Sequence, residues 1–133
     1  MASIVIVDDD PTVRLIATEM LRDCDHAIVE ACDGDEALKL VRSMHIDLVV
    51  LDMLMPNKDG LETIIEIRNL RPSIRILAIS SGGRTGADLL LRTAMAFGAD
   101  ATLAKPLRVD TFAGSVDRLL SIPARRMGAA STG

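Results

Sequence analysis

Five residues stand where the apolar runs of this chain end, and their types suit the handling of a phosphoryl group. Asp8 and Asp9 follow Ile4-Val5-Ile6-Val7, Asp52 follows Leu48-Val49-Val50-Leu51, Ser80 follows Ile74 to Ile79, and Lys105 follows Ala101-Thr102-Leu103-Ala104. Three carboxylates gathered at one place repel one another, and one of them takes up a proton unless a cation sits among them. A hard divalent ion with oxygen ligands, Mg²⁺ keeping several of its waters, relieves that repulsion. Asp52 can then stay ionised and attack phosphorus. The charge that develops on the transferred oxygens would meet the cation, the Lys105 ammonium and the Ser80 hydroxyl, and phosphoryl transfer asks for little beyond such positioning and neutralisation. Each piece alone is a common structural feature, a helix cap, a turn or a loop hydroxyl. Their shared placement at strand ends is what carries the reading.

That placement depends on the elements between them. Ile4 to Val7 is a β-branched run and predicts a first strand. Asp10 before Pro11 is a helix-start signal, and Val13, Ile16, Ala17, Met20 and Leu21 continue at helical spacing to about Asp23. Ala27 to Ala31 predicts a second strand, and Asp33 caps a helix whose buried face holds Ala37, Leu38, Val41 and Met44. The run to Asp52 is a strand buried on both faces. Pro56 and Gly60 then mark a loop, and Gly60 opens a helix to Leu70 that Pro72 ends. A fourth strand reaches Ser80-Ser81. Gly82, Gly83 and Gly86 make a loose loop before a helix through Leu89-Leu90-Leu91, Ala94, Met95 and Phe97, with Gly98 as its C-cap. After a short fifth strand, Lys105-Pro106 leads into a helix from about Val109 to Leu120. Five strand–helix units in strict alternation predict an α/β fold, a doubly wound five-stranded parallel sheet with five helices covering both faces. In such a sheet the carboxyl ends of the strands share one edge, where ligands bind.

Composition narrows the classes. The 133 residues suffice for one domain, expected over 1–122, with 123–133 as a disordered tail or the start of a linker. The formal charge of −4 and the lack of Trp and Tyr give no case for nucleic acid or an anionic membrane. No apolar run approaches the ~18 residues of a bilayer span, so a cytoplasmic protein is expected. Cys24 and Cys32 form no metal-ligand or disulfide pattern and read as half-buried thiols. His26 and His45 precede strands two and three, at the edge opposite the acids, and read as surface histidines near helix carboxyl ends.

The joint pattern resembles a known family, the receiver domain of two-component response regulators, whose single-domain example is the chemotaxis response regulator. The similarity spans about Ser3 to Ser121. It rests on Ile4-Val5-Ile6-Val7-Asp8-Asp9-Asp10, on Asp52-Met53-Leu54-Met55-Pro56-Asn57-Lys58-Asp59-Gly60, on Ile76-Leu77-Ala78-Ile79-Ser80 and on Lys105-Pro106. The resemblance implies a flavodoxin-like fold with strand order 2-1-3-4-5 and a cis peptide between Lys105 and Pro106. It implies a bacterial phosphorelay protein whose Asp52 accepts a phosphoryl group from a sensor histidine kinase or histidine phosphotransfer protein. It implies that Asp9 and Asp52 bind Mg²⁺ directly, with the Leu54 backbone carbonyl beside them and Asp8 acting through water. Ser80 would be the switch hydroxyl, Lys105 its partner at the phosphoryl group. A downstream protein would dock on the face of the fourth helix, fifth strand and fifth helix.

Departures from the family's pattern bear on output. Thr102 stands where an aromatic usually swings with the switch hydroxyl, and Leu107 where Phe is common. The glycine-rich stretch Gly82 to Gly86 is therefore expected to carry the change into the fourth helix. That helix is apolar on more than one face, as a partner or homodimer surface would be, or simply a well-buried helix. Two other functions compete. An aspartyl-nucleophile phosphatase of the haloacid-dehalogenase type needs a second Asp two residues after the nucleophile, and that position is Leu54. A degenerate receiver that only docks proteins would not require all five site residues. Multiple turnover is not expected.

Overall fold

The structure is a computed structural model and describes residues 1–55, 59–81 and 85–123. Its elements run β1 (Ser3–Val7), α1 (Pro11–Met20), β2 (Ala27–Ala31), α2 (Gly34–Ser43), β3 (Leu48–Asp52), α3 (Gly60–Leu70), β4 (Arg75–Ser81), α4 (Thr85–Phe97), β5 (Ala101–Lys105) and α5 (Val109–Ser121). All neighbouring strands are parallel, in the order β2-β1-β3-β4-β5. This is the doubly wound, flavodoxin-like architecture that the alternation and the resemblance predict.

Side-chain alternation builds a core on each face of the sheet. Val5, Val7, Val49, Leu51, Ile76 and Ala78 pack against Ala37, Leu38, Val41, Ile64, Ile67 and Ala94 of α2, α3 and α4. The intervening Ile4, Ile6, Leu48, Val50, Leu77 and Ile79 pack against Ala17, Leu21, Phe112, Val116 and Leu119 on the α1 and α5 side. β3 is central and buried along its whole length, which is why its sequence is continuously apolar up to Asp52.

Local chemistry sets the helix starts. Asp10 accepts from the Thr12 amide at 2.9 Å, Asp33 from Glu36 at 2.8 Å and Asp59 from Glu62 at 2.9 Å. Four sequence expectations shift in detail. α1 stops at Met20 and a 3₁₀ turn, Arg22–Cys24, follows, so the helix does not reach Asp23. Ile16 is exposed rather than part of the core, because α1 buries only Ala17. Met44 ends α2 as its C-cap and is also exposed. Cys32 is exposed, while Cys24 is half-buried as expected. The expected loop at Gly82 to Gly86 lies outside the described residues up to position 84, and α4 already begins at Thr85.

Candidate functional site

β1, β3 and β5 deliver their last residues to one edge of the sheet. Asp8 is one residue beyond β1, and its alternation parity with Ile4 and Ile6 turns it to the α1 and α5 side. Asp52 ends β3 with the parity of Leu48 and Val50, and Lys105 ends β5 with that of Ala101 and Leu103. Asp8, Asp9 and Asp52 each offer a carboxylate oxygen, and these oxygens lie within 4.8 Å of one another. The Lys105 Nζ sits 2.9 Å from Asp8 Oδ2 and 3.7 Å from Asp52 Oδ2. Asp8 and Asp52 are buried while Asp9 is exposed, so the cluster has a closed floor and an open mouth.

Each group is held in place. Asp52 Oδ1 accepts the Leu54 amide at 3.2 Å, a local turn that fixes the carboxylate against its own loop. Asp8 Oδ1 accepts the Asp10 amide at 2.9 Å. The Lys105–Pro106 peptide is cis, as the resemblance implies. Ser80 is the residue after Ile79, which pairs with Asp52 across β3 and β4. Its hydroxyl is fully buried and has no hydrogen-bond partner among the described residues. It bonds to none of the four charged groups, so it stands apart from them as an unspent donor.

The electrostatics follow from burial. Loss of water, and then the neighbouring Asp8 carboxylate, push the Asp52 carboxyl up to about 6. Burial works against the Lys105 ammonium, but its close ion pair with Asp8 and the charge of Asp52 outweigh that and hold its pKa above the ordinary value. The site thus carries more negative charge than one lysine offsets. Oxygen donors of this kind suit Mg²⁺, and the raised Asp52 pKa and the orphaned Ser80 hydroxyl both point to groups the site is built to receive.

His26 and His45 lie at the opposite edge, as expected. His26 Nδ1 accepts the Ala2 amide at 3.0 Å, and His45 pairs with Asp47 at 2.9 Å. One residue near the site escaped the sequence reading. Arg14 is mostly buried and reaches both the Asp8 backbone and Glu30. The available signal was its helical spacing: it shares a face with Ala17 and Leu21, a charge inside the buried stripe of α1.

A family model for the response regulator receiver domain matches residues 4–117, and the chain belongs to that family. It is 33% identical over 111 residues to the chemotaxis protein CheY of Listeria monocytogenes, which covers 83% of this chain and 91% of that protein. It is 32% identical over 117 residues to the sensor protein EvgS of Escherichia coli, covering 88% of this chain. The chain spans 10–47% of the length of EvgS and the other larger relatives it matches. Among solved structures it resembles the response regulator TrrA of Thermotoga maritima in complex with Mg(2+)-BeF. The TM-score is 0.77 at 33% identity, over 90% of this chain and 99% of that one.

Proposed function

We propose that this chain is a cytoplasmic phosphoryl-accepting switch of a two-component or phosphorelay system. The observation that carries the reading is the convergence of three carboxylate oxygens within 4.8 Å, with the Lys105 ammonium against two of the three residues. An Asp52 oxygen attacks the phosphorus of a phosphohistidine on a sensor kinase or phosphotransfer protein. The new bond is P–O, the broken bond is P–N, and the imidazole leaves with the electron pair and takes a proton from water. Lys105 stabilises the transferred oxygens, and the unspent Ser80 hydroxyl donates to one of them. Asp9, Asp52 and the Leu54 carbonyl would hold Mg²⁺, with Asp8 acting through water. When bound, Mg²⁺ supplies the positive charge that keeps Asp52 ionised and neutralises the phosphoryl oxygens.

Multiple turnover is not part of this reading, because Leu54 occupies the position where a phosphatase of the dehalogenase type needs its second Asp. Leu54 is 58% exposed and its amide bonds Asp52, so its apolar side chain is assigned an influence on the access of water to the acyl phosphate. Output is assigned to a downstream protein docking on α4, β5 and α5.

Intact-mass measurement after incubation with a small-molecule phosphodonor tests the proposal. The expected result is a gain of one phosphoryl mass that requires Mg²⁺ and disappears in Asp52→Asn. No gain under any condition overturns it and leaves a docking module.

A further inference from the structure

We propose that Arg14 is a positioning residue that sets the pose of Asp8 for the metal, an inference that rests on the reading of the acid cluster as a Mg²⁺ site. The geometry begins with a missing hydrogen bond. Asp8 donates its amide to Ala31 O at 3.1 Å, so its backbone faces β2. In a parallel ladder its carbonyl would then accept an amide two residues beyond Ala31. That residue is Asp33, the N-cap of α2, and β2 has already ended at Ala31. The preceding Cys32 amide is taken by the Glu36 carboxylate at 2.8 Å. The strand therefore leaves the Asp8 carbonyl without its ladder donor, a deficit that a buried backbone does not tolerate.

Arg14 fills it. Nη1 donates to Asp8 O at 2.6 Å, while Nε donates to Glu30 Oε1 at 2.8 Å. Glu30 lies next to Ala31 in β2, so the Asp8 backbone is tied to the same strand twice, once directly and once through the Arg14–Glu30 pair. Asp8 Oδ1 is taken by the Asp10 amide. Amide, carbonyl and one carboxylate oxygen are all fixed, and only Oδ2 is left to face Lys105 and the cluster. The grip requires two donors in the planar fork of a guanidinium, which a lysine cannot supply.

Calorimetric titration of Mg²⁺ into wild type, Arg14→Gln, Arg14→Lys and Glu30→Gln tests this, alongside urea denaturation and the amide NMR shifts of Asp8 and Asp10 without metal. The expected result is Mg²⁺ binding weakened about tenfold in both Arg14 variants, with Lys no better than Gln, and by two- to threefold in Glu30→Gln. The Asp8 and Asp10 amides should shift in the same order. Glu30→Gln changes an exposed end of the pair, so its fold should hold and its Mg²⁺ affinity should fall without a matching fall in stability. Wild-type affinity in all three variants overturns the inference alone. Failure of the wild type to bind Mg²⁺ overturns the metal reading and this inference with it.

Discussion

At the residue scale the site is frustrated in its own fold. Asp52, raised to about 6, binds its proton more tightly folded than unfolded. An acid of this kind costs nothing below its ordinary pKa, begins to cost stability as pH rises from there, and exacts the full cost above about 6. Asp52→Asn should therefore stabilise the metal-free protein near pH 7.5 by about 1–2 kcal/mol after allowance for solvent screening, and change little near pH 4. Urea denaturation followed by circular dichroism at the two pH values, without divalent ions, measures it. An Asn variant less stable than wild type at pH 7.5 would contradict the assignment of strain to this carboxyl. Lys105 works in the opposite sense. Lys105→Met removes the cation facing Asp8 and Asp52 and should destabilise the metal-free protein by about 1–3 kcal/mol, with saturating Mg²⁺ restoring much of it. A Mg²⁺-independent loss would make Lys105 a packing residue instead.

At the scale of elements, α3 comes very close to Met53, the first residue after β3. A Cβ on Gly60 would fall 2.6 Å from the Met53 Sδ and 2.7 Å from the Met53 Cα, and the latter is backbone that cannot step aside. The Gly60 amide also donates to Met53 O at 3.3 Å. Gly60→Ala should cost about 2 kcal/mol or more and displace the residues that follow Asp52, slowing phosphoryl uptake in the molecules that still fold. Denaturation and time-resolved intact mass separate the two effects, and uptake at the wild-type rate would show that the Gly60–Met53 contact does not govern Asp52. The sequence reading placed Gly60 at the start of α3 but had no means to see this contact, which depends on α3 returning over β3. The same limit explains Arg68, which donates to Gly98 O and to Asp100 Oδ2 at 2.7 Å from 30 and 32 residues away. By contrast the caps Asp10 and Asp33, the strand ends and the Gly98 C-cap, with φ of +125°, were legible because their chemistry is local. The carboxylates of the site were legible for a related reason. Parallel strands bring their ends together whatever the packing, whereas Arg14 is recruited only by where β2 happens to stop.

At the scale of the whole molecule, the outward side of α4 bears on self-association, because it is apolar only in part. Leu90 and Leu91 pack on the core and Ala94 is buried, so one part of the helix's apolar breadth is structural. Leu89 and Met95 are exposed at 59% and 47%. At 100° per residue they fall on opposite shoulders of Arg92, with Asp88 beside it, so charge divides the apolar surface into small pieces. Phe97 is also exposed, further round on the Leu89 side, but Arg92 and Asp88 still part these two from Met95, whereas a stable symmetric dimer buries roughly 800 Å² per partner around a continuous apolar centre. Sedimentation velocity should therefore find a monomer at micromolar concentration both before and after phosphorylation. Arg92→Leu joins the two shoulders into one apolar strip and should produce concentration-dependent association. A wild-type dimer on phosphorylation, unaffected at position 92, would move the self-contact off the outward side of α4 and remove the argument from charge division. A monomer in the wild type with association in the variant would show that the Arg92 charge is what keeps this face from pairing with a second copy.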